Sequence, residues 1–108
     1  MTPDEFRKIA LSFEGAEERS HMDHPDFRVH EKIFATLGYP DLRYAMVKLH
    51  PEQQQNFVDS NPEGFAPVKG AWGRKGSTSV LLDRVTQAQV RAALQSAWQS
   101  IPKKKLRR

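Results

Sequence analysis

Asp26-Phe27-Arg28-Val29-His30-Glu31-Lys32-Ile33-Phe34-Ala35-Thr36-Leu37 is the stretch on which the fold turns. Apolar Phe27 and Val29 alternate with polar Arg28 and His30, a period of two that marks a half-buried strand. Glu31-Lys32 supplies a turn, and Ile33, Phe34, Ala35 and Leu37 form a second strand broken by Gly38-Tyr39-Pro40-Asp41. Residues 44–49 read as a third. Three short strands with tight connections predict an antiparallel meander.

On either side of the meander the period becomes helical. Thr2-Pro3-Asp4-Glu5 is a helix start: Thr2 as N-cap, Pro3 in the first turn and Glu5 closing a capping box. Phe6, Ile9, Ala10 and Phe13 follow at helical spacing, so helix 1 is expected to reach about Phe13 before Gly15. Glu14 to Met22 is polar and irregular. After the meander, His50 reads as a helix-entry residue before Pro51, Phe57 and Val58 give helix 2 an apolar edge, and Asn61-Pro62-Glu63-Gly64 ends it. Residues 65–68 and 77–82 read as two further strands. Thr86 caps a last helix whose Val90, Ala93, Leu94, Ala97, Trp98 and Ile101 share one face, with Pro102 as its stop. The expected order is α-βββ-α-ββ-α. This is an α+β domain with three helices laid on one antiparallel sheet of five to six strands.

At 108 residues the chain suits one domain, taken as residues 1–102, followed by a mobile basic tail at 103–108. With 38% hydrophobic and 28% charged residues it is ordinary globular material. Cysteine is absent, which excludes disulfides and thiolate metal sites. There is no apolar run of the roughly 20 residues that a membrane span needs, and no signal-like N-terminus, so the expected location is the cytoplasm, with no membrane partner. A monomer is the default.

The formal charge of +4 is unevenly distributed. Lys103, Lys104, Lys105, Arg107 and Arg108 put five cations in the last six positions, and without them 12 Lys/Arg face 13 Asp/Glu. Residues 1–63 hold 7 basic and 12 acidic side chains, residues 64–102 hold 5 and 1. One basic face and a basic tail are expected, and a polyanion is the natural partner class.

Within the basic part lies Lys69-Gly70-Ala71-Trp72-Gly73-Arg74-Lys75-Gly76, with three cations, three glycines and one tryptophan in eight residues. It reads as a flexible basic loop with an aromatic tip, suited to phosphate and base contact. The competing reading is a hairpin turn whose Trp72 folds back over the sheet. A nucleotide P-loop does not fit, because Gly73-Arg74-Lys75-Gly76-Ser77 inserts a glycine and a strand follows. The Gly-x-x-Gly of KH domains matches Gly70 to Gly73 but joins helices, whereas these flanks look extended. Arg28, Lys32, Arg43 and Lys48, on or beside the strands, join the loop only if they share its face.

Other chemistry finds little purchase. His21, His24 and His30, interleaved with Asp23 and Asp26, have a metal-like composition but no helix to align them, and read as loop histidines. No serine sits in Gly-x-Ser-x-Gly, and Glu17-Glu18 is a carboxylate pair in sequence only. No enzyme, metal or cofactor is expected.

His24-Pro25-Asp26-Phe27-Arg28-Val29, Lys32-Ile33-Phe34-Ala35, Val47-Lys48-Leu49, Pro51-Glu52 and Val68-Lys69-Gly70-Ala71-Trp72-Gly73 occur here in an order and spacing that resembles the MmcQ/YjbR family of small bacterial proteins. Ala97-Trp98 in the last helix is similar too, and the resemblance spans about residues 2–102. It implies a double-wing α+β fold, likened also to frataxin-like sheets, and DNA binding as the family's usual label. The function expected is a non-enzymatic DNA-binding module: Lys69, Arg74, Lys75, Arg28 and Lys48 on phosphates, Trp72 stacking or inserting. The alternative is a small-ligand or protein-interaction module on the sheet face around Trp72, with Tyr39 and Tyr44 as further aromatic walls. The reading ranked last is frataxin-like iron binding by Asp4, Glu5, Glu14, Glu17 and Glu18, for which scattered solvated carboxylates are the simpler account.

Overall fold

A computed structural model of the chain describes residues 1–102, so the basic tail anticipated at 103–108 lies outside the described residues. The elements run α1 (Pro3–Leu11), β1 (Glu17–His21), β2 (His24–Val29), β3 (Lys32–Leu37), β4 (Tyr44–Lys48), α2 (Pro51–Ser60), β5 (Phe65–Pro67), α3 (Ala71–Arg74), β6 (Ser77–Leu81), a 3₁₀ turn (Leu82–Arg84) and α4 (Gln87–Ser100). All six strands form one antiparallel sheet in the order β1-β2-β3-β4-β6-β5. The α+β class and the strand count agree with the expectation. Three elements lie outside that expectation, the edge strand β1, the one-turn helix α3 and the 3₁₀ turn.

The caps behave as their residue types dictate. The Glu5 N–H donates to Thr2 Oγ1 at 3.1 Å and the Thr2 N–H to Glu5 Oε1 at 2.9 Å. Thr86 and Gln89 make the same reciprocal pair at the start of α4. Helix α1 ends two residues earlier than Phe13, with Ser12 as its C-cap. That frees Phe13 to meet Trp98 of α4, ring centroids 5.6 Å apart, while the Trp98 indole N–H donates to the Glu14 carbonyl.

The core lies between the sheet and its helices. Phe6, Phe27, Phe34, Phe65, Leu94 and Val80 are fully buried, and each such side chain contributes about 1.5–3 kcal/mol of transfer free energy. Phe6 packs on Phe27 at 6.1 Å and Phe57 of α2 on Phe65 at 5.3 Å. Helix α4 lies over β3 and β4, and α2 over β5 and β6.

Strand β1, sequence Glu17-Glu18-Arg19-Ser20-His21, has no apolar alternation because it is an edge strand. Glu18 and Arg19 make ion pairs instead of core contacts, Glu18 with Arg7 at 2.9 Å and Arg19 with Glu31 at 3.0 Å. Charged edges of this kind discourage pairing with another chain.

Arg28, on the polar side of β2 and expected on phosphates, is instead engaged within the protein. Its guanidinium donates twice to the carboxylate of buried Asp26, at 2.8 and 3.1 Å. That hydrogen bond, with the charges of Asp26 and Glu31, raises the Arg28 pKa further. Truncating one partner strands the other, whereas removing both does not. Arg28→Ala is therefore expected to lower the urea midpoint, with Asp26→Ala/Arg28→Ala losing clearly less than the two single losses together. Additive losses would show that the pair is not coupled.

Candidate nucleic-acid interface

The segment from Lys69 to Gly76 is neither a flexible loop nor a hairpin wing. Residues Ala71–Arg74 form α3, entered through Gly70 at φ +84°. Its glycines are positions of close approach. A Cβ on Gly73 would lie 1.6 Å from the Val68 carbonyl oxygen, and one on Gly76 would lie 1.8 Å from that of Leu49. Gln54, buried on α2, ties the segment down by donating through Nε2 to the carbonyls of Gly73 and Ser77, both at 3.0 Å. The Leu49 N–H and the Thr78 hydroxyl both donate to the Gly76 carbonyl, at 3.2 and 2.8 Å. Four residues of helix have little stability of their own. Here Gln54 and the glycine contacts hold them.

Held this way, α3 presents its bulky side chain outward. Trp72 is 64% exposed, which decides against a tryptophan folded back over the sheet. The Lys48 ammonium at the end of β4 stands 5.9 Å from its ring centroid, within cation–π range. Lys69, Arg74 and Lys75 are exposed on the same segment.

Beside this platform is a cleft of about 260 Å³. Lys32, Lys48, His50 and Lys75 border it with cationic or titratable residues, the largely buried Leu49 and Ile101 give it an apolar floor over the core residue Phe34, and Ser100 and Pro102 mark the end of α4. The register explains how distant residues meet. Strands β2 and β3 turn at His30-Glu31, and β4 runs alongside β3 and ends at Lys48 opposite Ser77, the first residue of β6. Lys32, Lys48 and Lys75 therefore belong to one end of the sheet.

Ion pairing distinguishes this end from most of the molecule; among the described residues, Lys8 and Arg91 on α1 and α4 are the other Lys and Arg without an ion pair. Arg7, Arg19, Arg28, Arg43 and Arg84 all have carboxylate partners. Among the described residues, Lys32, Lys48, Lys69, Arg74 and Lys75 make no ion pair. Arg43, weighed as a possible member, sits in the β3–β4 connection at the opposite end. There it holds Asp41 through two side-chain hydrogen bonds and lies 5.5 Å from the Tyr44 ring centroid. Hydrogen bonds from Arg43, side chain first and backbone second, lower the Asp41 pKa to about 2.

Of the residues singled out by sequence, the structure thus brings Lys48, Lys75 and Trp72 together, with Lys69 and Arg74 flanking them. It holds Arg28 apart on Asp26. Tyr39 shares the far end with His24, 5.7 Å away, so Tyr39 and Trp72 do not wall a single pocket. His50, read only as a helix entry, is the N-cap of α2 and also reaches the cleft. Gln54 carried no sequence signal. Among the described residues no group of three or more His, Asp or Glu is placed to hold a metal ion, and no helix is long and apolar enough to cross a membrane.

Comparisons with known proteins agree with this architecture. The crystal structure of Deinococcus radiodurans protein DR2400, a DUF419 domain, matches with a TM-score of 0.77. The match covers 99% of this chain and 83% of that one at 19% sequence identity, a likeness of fold. No curated protein matches. The YjbR family model matches residues 11–100, from the last turn of α1 to the end of α4. With all six strands and the α3 platform inside that span, the chain belongs to the YjbR family.

Proposed function

We propose that this protein is a non-enzymatic DNA-binding module that grips the phosphodiester backbone with the α3 end of its sheet. The observation that carries the reading is the gathering there of Lys32, Lys48, Lys69, Arg74 and Lys75, without ion pairs among the described residues, around an exposed Trp72. A cation already neutralised by a carboxylate gains little from a phosphate, whereas a free one releases the condensed counterion of the DNA. Trp72 adds a face on which an unstacked base can lie. Arg28 is left out of the contact set because Asp26 occupies its guanidinium. Beyond Pro102 the sequence carries five more cations within six residues, which add non-specific attraction.

The test is a salt titration of affinity by fluorescence anisotropy, with labelled duplex and single-stranded oligonucleotides and the full chain. Three to five neutralised phosphates give a log K against log salt slope of about −2.7 to −4.5 on a duplex. Absence of binding to either form at low salt would overturn the reading.

A further inference from the structure

The cleft beside α3 is a recess that a continuous DNA backbone passing over its lysines does not fill. We propose that it binds a phosphomonoester on a small organic body, the shared chemistry of a nucleoside monophosphate and of a phosphorylated strand end. The strand-end case rests on the DNA-binding reading above; the free-nucleotide case does not.

Charge is the first argument. Lys32, Lys48 and Lys75 come from the start of β3, the end of β4 and the residue after α3, so they approach one cleft from three separate elements. None has an ion pair among the described residues. A phosphodiester brings a single negative charge and two ester arms that leave in different directions. A phosphomonoester near pH 7 carries about −1.5 to −2 and one arm, leaving three oxygens for cations. Three lysines lining one cleft match the second.

Shape and wall chemistry are the second argument. The cleft is about 260 Å³, at or just below the lower end of the usual ligand-site range of about 300–1,000 Å³, which selects a small ligand. Leu49 and Ile101, both largely buried, give it an apolar floor that suits a small organic body better than inorganic phosphate alone. Ser100 and Ile101, at the C-terminal end of α4, line the same cleft as the lysines. The last carbonyls of a helix lack intrahelical donors and carry partial negative charge. They repel a phosphate and accept from amino or hydroxyl groups. A ligand with phosphate at one end and hydrogen-bond donors at the other is therefore oriented, and a nucleotide has that polarity.

The experiment compares a single-stranded oligonucleotide bearing a 5′- or 3′-phosphate with the same strand ending in hydroxyls, by anisotropy at one salt concentration. In parallel, thymidine monophosphate and thymidine are titrated while amide shifts of residues 32–34, 48–50 and 75 are followed. One phosphorylated end is expected to bind at least tenfold tighter than its hydroxyl counterpart. Thymidine monophosphate, but not thymidine, is expected to give saturable shifts. Ser100→Trp, which fills the cleft from the end of α4, should abolish both effects while hydroxyl-ended strands keep their affinity within twofold. Lys32→Ala should weaken both effects. Equal binding of all ends together with no saturable shift overturns the inference and leaves backbone binding standing. A preference that survives Ser100→Trp also overturns it, because the phosphate then binds elsewhere. Saturable shifts with no oligonucleotide binding would support the cleft and remove the DNA reading.

Discussion

Gly76→Ala is expected to be among the most damaging single substitutions in this chain, costing on the order of 3–5 kcal/mol. Its Cβ would sit 1.8 Å from the Leu49 carbonyl oxygen and 2.8 Å from the carbonyl carbon, both backbone atoms that no side-chain rotation can move. The backbone at Gly76 adopts φ +114°, where an L-residue is strained even with space around it. Relief requires separating β6 from the end of β4, which breaks the Leu49 to Gly76 hydrogen bond as well. Gly73→Ala meets the Val68 carbonyl oxygen at 1.6 Å without a positive φ, and is expected to cost about as much through overpacking alone. Gly70→Ala is the internal control. It has nothing within 4 Å but keeps φ +84° and ψ −156°, a region essentially reserved for glycine, so only the conformational cost of about 1–3 kcal/mol applies. Urea denaturation of the three variants reads the series directly. Equal and small losses at all three positions would show that the segment is as loose as its composition suggests.

That series marks where sequence reading succeeded and where it stopped. Local signals with a local cause were legible. Thr2 with Glu5 and Thr86 with Gln89 announce their helices because the capping bonds close within one turn. Phe27 and Val29 announce β2 because one face of that strand meets the core. Strand β1 was illegible because an edge strand can be satisfied by charge pairs, so no alternation is needed. Helix α3 was illegible for a different reason. What holds it is a side chain 19 residues away, Gln54, and glycines that serve contact rather than flexibility. Glycine density alone cannot distinguish these two uses. The same limit applies to the interface. Composition identified Lys69, Trp72, Arg74 and Lys75 from one stretch of chain and marked Lys48 as a polar-out strand residue. The convergence of Lys32, His50 and the end of α4 on that place depends on the strand order, which no local pattern encodes. Arg28 shows the converse error. Alternation put it on the polar side of β2, free for a phosphate, while the partner that occupies it is Asp26, two residues earlier in the chain.

Lys48→Glu/Lys75→Glu is expected to reduce DNA affinity about a hundredfold near 0.1 M salt. Each phosphate contact contributes about 0.9 log units per decade of salt, so losing two removes close to two decades at that concentration. The log–log salt slope should become shallower by about 2 at the same time. Both side chains are exposed, so folding stability should stay within about 0.5 kcal/mol of the parent. Net charge falls by four in this variant, and a long-range field acting on the whole molecule would also weaken binding. Lys8→Glu/Arg91→Glu separates the two explanations. Lys8 and Arg91 are likewise exposed and without ion pairs among the described residues, but they line a second groove between α1 and α4 beside Glu5. The change in net charge is identical. If the α3 end is the contact surface, this control keeps its salt slope and loses no more than about threefold, since exposed charges beyond a Debye length of about 10 Å are largely screened. If both variants lose affinity equally, the attraction belongs to overall charge and the lysines around Trp72 have no special part in it. Trp72→Ala completes the set. It removes the ring beside the Lys48 ammonium without changing charge, so it should weaken single-stranded binding at an unchanged salt slope, by about 1–3 kcal/mol if a base stacks there.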